Sequence, residues 1–228
     1  MRRGGSSRAI RITAVVAAAI LVLLVLAQLV LPRIAASRIS SRVGRYGHVE
    51  HVSVSAFPAI KLLWGDADSV DVRAGALSLS RGQAAALLRE GRGADRIDAR
   101  VRVVHLGSLT LGSAVLQKRG EQVVGLAKAS QADVRAALGP GVGVRLLASG
   151  GGRVRVAATG NLFGVGATVN AVAEAEDGKL VVHPEGLLLE GFRLTLFEDT
   201  HVRVLGVSAR PQPGPPPGYL LGMSALLR

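Results

Sequence analysis

The stretch VSVSAFPAIKLLWGDADSVDVRAGALSL, residues Val52 to Leu79, joins two runs of alternating polarity through a short apolar segment that contains a proline. In both runs apolar residues alternate with small or charged ones, a period that sends successive side chains to opposite faces of a strand. Between the runs, Pro58 favours a turn and Trp64 closes the apolar segment. The stretch therefore predicts two β-strands connected by a compact apolar loop.

The period of two continues toward the C-terminus. Further alternating runs are Ile97 to Val103, Leu109 to Leu111, Gly152 to Ala157, Thr168 to Ala173, Leu180 to Val182, Leu187 to Leu189, Phe192 to Leu196 and His201 to Val207. Turn signals such as Asp177-Gly178 separate consecutive runs, which favours antiparallel hairpins. Two runs with helical character interrupt them, Gly82 to Arg89 and Ser130 to Leu138, and in the second Ser130 precedes Asp133 as in a capping box. We expect an α+β fold that is mostly β, with few short helices.

Toward the N-terminus, the run TAVVAAAILVLLVLAQLVL from Thr13 to Leu31 carries no charge, and Gln28 is its only strongly polar member. About 19 residues of helix cover the hydrocarbon core of a bilayer, which is roughly 30 Å thick. A helix that is apolar on every face cannot be buried in a small β-rich domain, so a transmembrane helix is favoured over a core helix. The run is longer than a secretory signal and Ile34-Ala35-Ala36-Ser37 is a poor cleavage site, which favours an uncleaved anchor over a cleaved signal.

The orientation of this helix is less clearly marked, because basic residues flank it on both sides. They are Arg2, Arg3, Arg8 and Arg11 before it and Arg33, Arg38, Arg42 and Arg45 after it. Charge bias alone is nearly even, but an N-terminal anchor with a short basic tail usually keeps that tail in the cytoplasm. We therefore expect a single-pass protein of the plasma membrane with an extracytoplasmic domain. A short amphipathic helix is predicted to continue from Pro32 to Val43, where Gly44 and Gly47 end it.

The predicted organisation has four parts. They are a basic cytoplasmic tail (1–12), a transmembrane anchor (13–31), a β-rich domain (32–210) and a Pro-rich C-terminal segment (211–228). The part after the apolar run, about 195 residues, is long enough for one domain with its own core. Within the last part, PQPGPPPG from Pro211 to Gly218 is typical of a stiff polyproline-like linker, and Tyr219 to Leu227 is apolar again.

Composition narrows the possible functions. The chain is 49% hydrophobic but only 3% aromatic, so the core must consist mainly of Val, Leu and Ala. It contains no Cys, which excludes disulfide scaffolds, thiolate zinc sites and cysteine nucleophiles. The net charge of +12 favours anionic partners, although the abundance of Arg, Ala, Gly and Val is also typical of GC-rich coding.

Motifs for catalysis or metal binding are weak. The five histidines, His48, His51, His105, His183 and His201, do not stand at metal-ligand spacings. Ser208 lacks the second glycine of a nucleophile elbow. The glycines from Gly139 to Gly143 lack the Lys-Ser/Thr pair of a phosphate loop. We expect neither an enzyme nor a cofactor or metal.

Arginine and valine alternate in several strands. Arg100 and Arg102 alternate with Val101 and Val103, and the same pattern recurs from Arg153 to Val156. One face of the sheet should therefore be cationic and the other aliphatic. Because the predicted helices are few and short, either the sheet curls on itself or something apolar covers the aliphatic face.

The opening stretch resembles the LmeA-like phospholipid-binding family of actinobacteria. Members carry a strand, a Phe-Pro element, a short apolar helix ending in Gly, and an acidic-Ser-Val sequence that leads into a second strand. The corresponding elements here are Val52 to Ser55, Phe57-Pro58, Ile60 to Gly65, Asp68-Ser69-Val70 and Val70 to Arg73. The segment Gly125 to Leu138 is similar to a later block of that family, with Val134 in the place of Leu. The C-terminal sequence departs from the family, where a further Val-rich strand is usual.

The resemblance implies a curved antiparallel sheet that wraps an apolar groove. It also implies a membrane-anchored, extracytoplasmic, non-enzymatic protein of the cell envelope that binds phospholipid and could carry it, with acyl chains in the groove and phosphate near arginine at its rim. The candidate lipid-binding residues are Phe57, Pro58, Ile60, Leu62, Leu63, Trp64, Val70, Val72, Arg100 and Arg102. The candidate headgroup contacts near the membrane are Arg33, Arg38, Arg42 and Arg45.

Two alternatives remain open from the sequence. The segment from Phe57 to Trp64 could be a helical plug on the core instead of a lipid-contacting lip, and Trp64 suits a bilayer interface or a groove mouth equally well. The whole protein could instead be a structural or interaction protein of the envelope whose basic face binds an anionic polymer or a membrane enzyme. Binding of nucleic acid is disfavoured, because aromatic residues for base stacking are scarce.

Overall fold

A computed structural model describes residues 6–139, 141–162, 165–186 and 192–228. Within these residues, strands in two sheets form most of the chain behind one long N-terminal helix, which confirms the mostly β fold class. The α-helices are α1 (Ser6–Val43), α2 (Arg81–Glu90) and α3 (Gln131–Leu138), and short 3₁₀ helices cover Gly44–Tyr46, Ala59–Trp64 and Gly91–Gly93. The strands are β1 (Gly47–Ser55), β2 (Ala67–Leu79), β3 (Ala94–Leu106), β4 (Leu109–Arg119), β5 (Gln122–Ser130), β6 (Gly143–Gly150), β7 (Arg153–Leu162), β8 (Val165–Glu176), β9 (Lys179–Glu185), β10 (Leu194–Phe197), β11 (Val202–Gln212) and β12 (Gly218–Leu227).

The larger sheet has seven strands in the order β1-β2-β3-β4-β5-β12-β11. Among the strand pairs that the structure describes in it, β2 and β3 run parallel and the others antiparallel. The predicted antiparallel sheet thus contains one parallel pair. The cause is α2, which carries the chain from the end of β2 back to the end where β2 began, so that β3 starts beside Ala67. Helix α2 begins with a capping box that was not predicted, in which Ser80 accepts from the backbone N–H of Gln83. At the box predicted for α3, Ser130 accepts from the backbone N–H of Asp133.

The C-terminal residues belong to this sheet. The sequence set 211–228 apart as a Pro-rich segment, but β11 runs on to Gln212 and β12 pairs with both β5 and β11. The Pro-rich run is therefore the connection between two neighbouring strands, and a further strand does follow it. Strands β5, β6 and β12 are not among the alternating runs, because small or apolar residues occupy most positions on both of their faces. The run predicted from Leu187 to Leu189 lies outside the described residues.

The smaller sheet has five antiparallel strands in the order β10-β9-β8-β7-β6. Its turns and first strand bond to the outer edge of β11: the N–H of Val204 donates to Gly178 O at 2.8 Å, and the N–H of Val207 to Gly152 O at 2.9 Å. The backbones approach closely here, since a Cβ added to Gly206 would lie 3.0 Å from the Cα of Gly152. The edge of β11 is thus covered, and neither sheet closes on itself.

Helix α1 is continuous from the predicted transmembrane run through the predicted amphipathic extension. From Ile20 to Leu26 its side chains are exposed on every face. A half-buried stripe then begins, formed by residues at helical spacing: 27, 28, 31, 32, 35, 36, 39, 40 and 43. From Ile20 to Leu26 the helix is therefore exposed, and from Ala27 onward one side of it packs on the rest of the protein.

Two clusters of buried aliphatic residues lie on the inner face of the larger sheet. The helix cluster contains Val54, Ala67, Val70, Val72 and Ala94, with Ala35, Ala36 and Ile39 of α1 packed against it. The C-terminal cluster contains Val123, Val202, Ala225 and Leu227, with Leu88 of α2 and Phe197 packed against it. Helices α1 and α2 thus cover two separate parts of one aliphatic face.

Candidate lipid-contacting surface

The apolar connection between β1 and β2, here called the Phe57 loop (residues 57–65), has a buried side and an exposed side. Ala59 is 1% exposed and Leu62 packs against the helix cluster. On the other side, exposure reaches 77% for Phe57, 71% for Trp64 and 66% for Leu63, with Ile60 also exposed. The loop thus combines both interpretations of the sequence, a plug on one side and an apolar surface on the other.

The loop is bonded to the apolar part of α1. The Oε1 of Gln28 accepts from the backbone N–H of Ala59 at 2.9 Å. Ala59 is the first residue of a 3₁₀ helix, so its N–H has no partner inside that helix. The one strongly polar side chain of the apolar run therefore caps the Phe57 loop.

The rest of the loop is fixed by polar contacts at its two ends. The backbone N–H of Phe57 donates to Asp68 Oδ2 at 2.6 Å, and Lys61 Nζ lies 3.4 Å from Asp68 Oδ1. Gly65 adopts a positive φ of 86°, which ends the 3₁₀ helix. Gly93 lies so close to Gly65 that an added Cβ would overlap the carbonyl oxygen of Gly65. The loop is thus held between α1 and the start of β3.

A row of side chains crosses the inner face and begins in the helix cluster at Val72. In register order from β2 to β11, this central row consists of Val72, Ala99, Leu116, Gly125, Met223 and Val207. Its middle members are half-buried. A Cβ added to Gly125 would meet no heavy atom within 4 Å among the described residues. The aliphatic face therefore has an open gap at Gly125, between Leu116 and Met223.

The gap lies near the same sheet end as the Phe57 loop. The register aligns Ser55, Ser69, Arg96, Arg119 and Gln122 across the first five strands of that end. Gly125 is three residues beyond Gln122, or about 10 Å along β5. Between this sheet end and the gap, the inner face carries Val123 and Lys118, which are both buried.

One buried cation lies beside the central row, one inward position closer to the sheet end than Leu116. Lys118 is 3% exposed and faces inward, where its Nζ donates to the backbone carbonyls of Arg92, at 3.2 Å, and Ala94. Burial lowers the pKa of this ammonium below its ordinary value, with Asp95 and Glu121 acting in the opposite direction. The sequence did not single out Lys118, because only the fold shows which lysine points inward.

On the face predicted to be cationic, the arginines are largely paired with acidic residues. Arg102 pairs with Glu50, and Arg100 lies 3.7 Å from Asp71. The same holds in the smaller sheet, where the pairs are Arg153 with Glu174 at 2.5 Å, Arg155 with Glu185 at 3.0 Å and Arg193 with Glu176 at 3.0 Å. Each such exposed pair contributes about 0–1 kcal/mol, so the pairs arrange charge more than they stabilise the fold. These residues therefore do not form a continuous unpaired basic face that could bind an anionic polymer.

The structure separates the predicted lipid-binding residues into three places. Phe57, Ile60, Leu63 and Trp64 lie on the exposed side of the loop, together with Pro58 at the start of its 3₁₀ helix. Val70 and Val72 are buried under α1 in the helix cluster, as Leu62 partly is. Arg100 and Arg102 project from the opposite face of the sheet, since their strand neighbours Ala99 and Val101 face inward.

The four arginines that follow the apolar run are all exposed, and they are spread along α1 and the turn after it. With a rise of 1.5 Å per residue, Arg33 stands about 3 Å past Leu31 and Arg38 about 10 Å past it. Arg42 and Arg45 are more than about 15 Å past Leu31, and Arg42 pairs with Glu90 at 3.2 Å.

A polar crevice of about 470 Å³ opens at the sheet end beside the Phe57 loop. Its lining includes Asp68, Asp95, Arg96 and Arg119. Arg119 holds Asp98 through two hydrogen bonds of 3.0 Å, and these bonds lower the pKa of the Asp98 carboxyl. Sequence reasoning missed this crevice, because its residues come from four strands, β1 to β4, and are far apart in the chain.

Comparison with known proteins agrees with these features. The chain matches the family model described as LmeA-like phospholipid-binding over residues 22–212. No curated protein and no solved structure matches it. The matched region begins inside α1, includes the Phe57 loop and every member of the central row except Met223, and covers well over half of the chain. The chain therefore belongs to the LmeA-like phospholipid-binding family.

Proposed function

We propose that this protein is a membrane-anchored, extracytoplasmic phospholipid-binding protein of the cell envelope that does not act as an enzyme. The observation that carries the proposal is the gap at Gly125, an open space in the middle of an aliphatic face. Acyl chains would replace water over the central row, and each buried methylene is worth about 0.8 kcal/mol. Family membership supports lipid as the occupant.

Anchoring by α1 is part of the proposal. The helix is long and apolar enough to cross a bilayer, and its apolar part is not buried in the protein. A signal sequence could share these properties, but cleavage near Ala36 would remove Gln28 and part of the stripe that packs on the helix cluster. The contacts of the domain with α1 therefore support a retained helix.

The headgroup contacts can be narrowed by distance. The polar layer of a bilayer extends roughly 5–8 Å beyond the hydrocarbon on each side. Arg33 lies within this layer, and the long side chain of Arg38 can reach back to it. We propose these two arginines as headgroup contacts, each worth about 1 kcal/mol near an anionic surface.

The proposal can be tested with a phospholipid that carries a photoreactive group in its acyl chain. The full chain is reconstituted in vesicles that contain this lipid, irradiated and digested, and the labelled peptides are identified by mass spectrometry. We expect label on β4, β5 and β12 around Leu116, Gly125 and Met223. Label confined to α1 and the Phe57 loop would show contact with the bilayer without an acyl-chain site, and would favour a structural or interaction protein.

A further inference from the structure

The level of the Phe57 loop along α1 follows from one hydrogen bond. Gln28 precedes Leu31, the last residue of the uncharged run, by three residues, or about 4.5 Å along the helix axis. Since Gln28 bonds directly to Ala59, the loop lies beside apolar helix residues and not beyond them. If α1 spans a bilayer with this run, the loop cannot stand clear of the same leaflet.

The exposed side of the loop is apolar, as a position beside the apolar residues of α1 requires. Phe57, Leu63 and Trp64 present apolar side chains to the surroundings, and so does the adjacent surface of α1 from Ile20 to Val30. The loop and the helix thus form one continuous apolar surface. The loop's one cation, Lys61, pairs with Asp68 on the side of the loop that faces the sheet. Its long side chain can place the charge at the level of the headgroups while the loop itself is inserted.

We propose that the Phe57 loop inserts into the bilayer leaflet around the C-terminal end of the uncharged run of α1, so that the domain is partly immersed in the membrane surface. This inference rests on the anchoring role proposed above for α1. Trp64 then lies at the interface, where the amphipathic indole ring is favoured. The polar crevice with Arg96 and Asp95 then faces the headgroup layer.

Trp64 is the only tryptophan of the chain, so its fluorescence reports on the loop without any substitution. The full chain is reconstituted in vesicles of phosphatidylcholine and phosphatidylglycerol that contain lipids brominated either near the glycerol end or near the methyl end of the acyl chain. We expect a blue-shifted emission, with quenching that is severalfold stronger for bromine near the glycerol end.

The control moves the reporter away from the membrane. In the double variant Trp64→Phe, Tyr46→Trp the indole stands more than about 20 Å along the axis from Gln28, and we expect little quenching. Flotation of the vesicles checks anchoring separately. A chain that floats while Trp64 is quenched no more than the control overturns insertion of the loop but leaves the anchor standing. A chain that does not float overturns both, whereas the photolabelling result tests the acyl-chain site independently.

Discussion

The side chain of Gln28 and the backbone of Ala59 are joined by a hydrogen bond across 31 positions of the chain. This bond connects an apolar helix that could cross a bilayer to the loop that resembles the family most specifically. It also explains why a polar residue stands in an otherwise apolar run. A buried N–H without an acceptor is costly, so the bond fixes the loop against the helix.

Replacing Gln28 by Leu should loosen the loop. The Ala59 N–H, buried at 1% residue exposure, loses its acceptor, and we expect a loss of about 1–3 kcal/mol in the free energy of unfolding. Hydrogen exchange of the Ala59 amide in detergent micelles should become faster. The matched control is Leu29→Ala, at an exposed position one residue on. Equal exchange of the Ala59 amide in the wild type and Gln28→Leu would contradict the cap.

The long helix could be predicted from the sequence because its evidence is local. An uncharged run and an amphipathic continuation are visible in consecutive residues, and α1 joins them without a break. The bond from Gln28 could not be predicted, since it depends on how β1 returns alongside the helix. The same limit applies to β12: a strand in which glycines and serines alternate with apolar residues shows no polar period, and only its partners β5 and β11 reveal it.

Gly93→Ala should push the Phe57 loop away from β3. The added Cβ would overlap the carbonyl oxygen of Gly65, and backbone atoms on both sides leave little room to adjust. We expect a destabilisation of about 1–3 kcal/mol, the usual cost of overpacking, together with a shift in the emission of Trp64. Gly82→Ala serves as the control. Its Cβ meets nothing within 4 Å, so this helical position should be neutral or stabilised by up to about 1 kcal/mol.

Asp98→Asn should make stability less sensitive to acid. The hydrogen bonds from Arg119 hold the pKa of Asp98 below its ordinary value of 3.8. The carboxylate therefore stabilises the fold above about pH 3.8 and loses this contribution as the pH falls through the lowered pKa. We expect the variant to be less stable at neutral pH by up to about 1 kcal/mol, and the difference to shrink in acid. Urea unfolding at several pH values measures this difference in the free energy of unfolding. A difference that does not change with pH would contradict the pairing of Asp98 with Arg119.

Lys118→Met should change how the free energy of unfolding depends on pH in alkaline solution. Burial lowers the pKa of Lys118 from 10.5, so between the lowered value and 10.5 the unfolded chain binds more protons than the folded one. The free energy of unfolding of the wild type should therefore rise with pH in this window. The methionine variant cannot titrate there, so the stability of the wild type relative to the variant should increase as the pH rises through this window. A parallel pair of curves would mean that Lys118 keeps an ordinary pKa.

The sequence predicts which side chains share a surface best where these residues are neighbours in the chain. Phe57, Leu63 and Trp64 share one loop, and that loop does present them together. Arg100 and Arg102 join this group only because arginine is expected to bind phosphate at the rim of the groove. The register places both arginines on the outer face, beside Asp71 and Glu50. A strand's period fixes which residues share a face but not which face meets the loop.

Filling the gap at Gly125 should remove the acyl-chain site while leaving the anchor intact. Gly125→Phe places a ring between Leu116 and Met223, where the backbone has room for a Cβ, and phenylalanine is better suited to a strand than glycine. The fold should therefore persist. The control Val124→Phe adds a ring at the adjacent, exposed position on the opposite face. We expect photolabelling of β4, β5 and β12 to fall by about tenfold in Gly125→Phe alone, which corresponds to roughly 1.4 kcal/mol of lost binding. Unchanged labelling in Gly125→Phe would place the lipid elsewhere, because a ring and an acyl chain cannot occupy one gap between the same two strands.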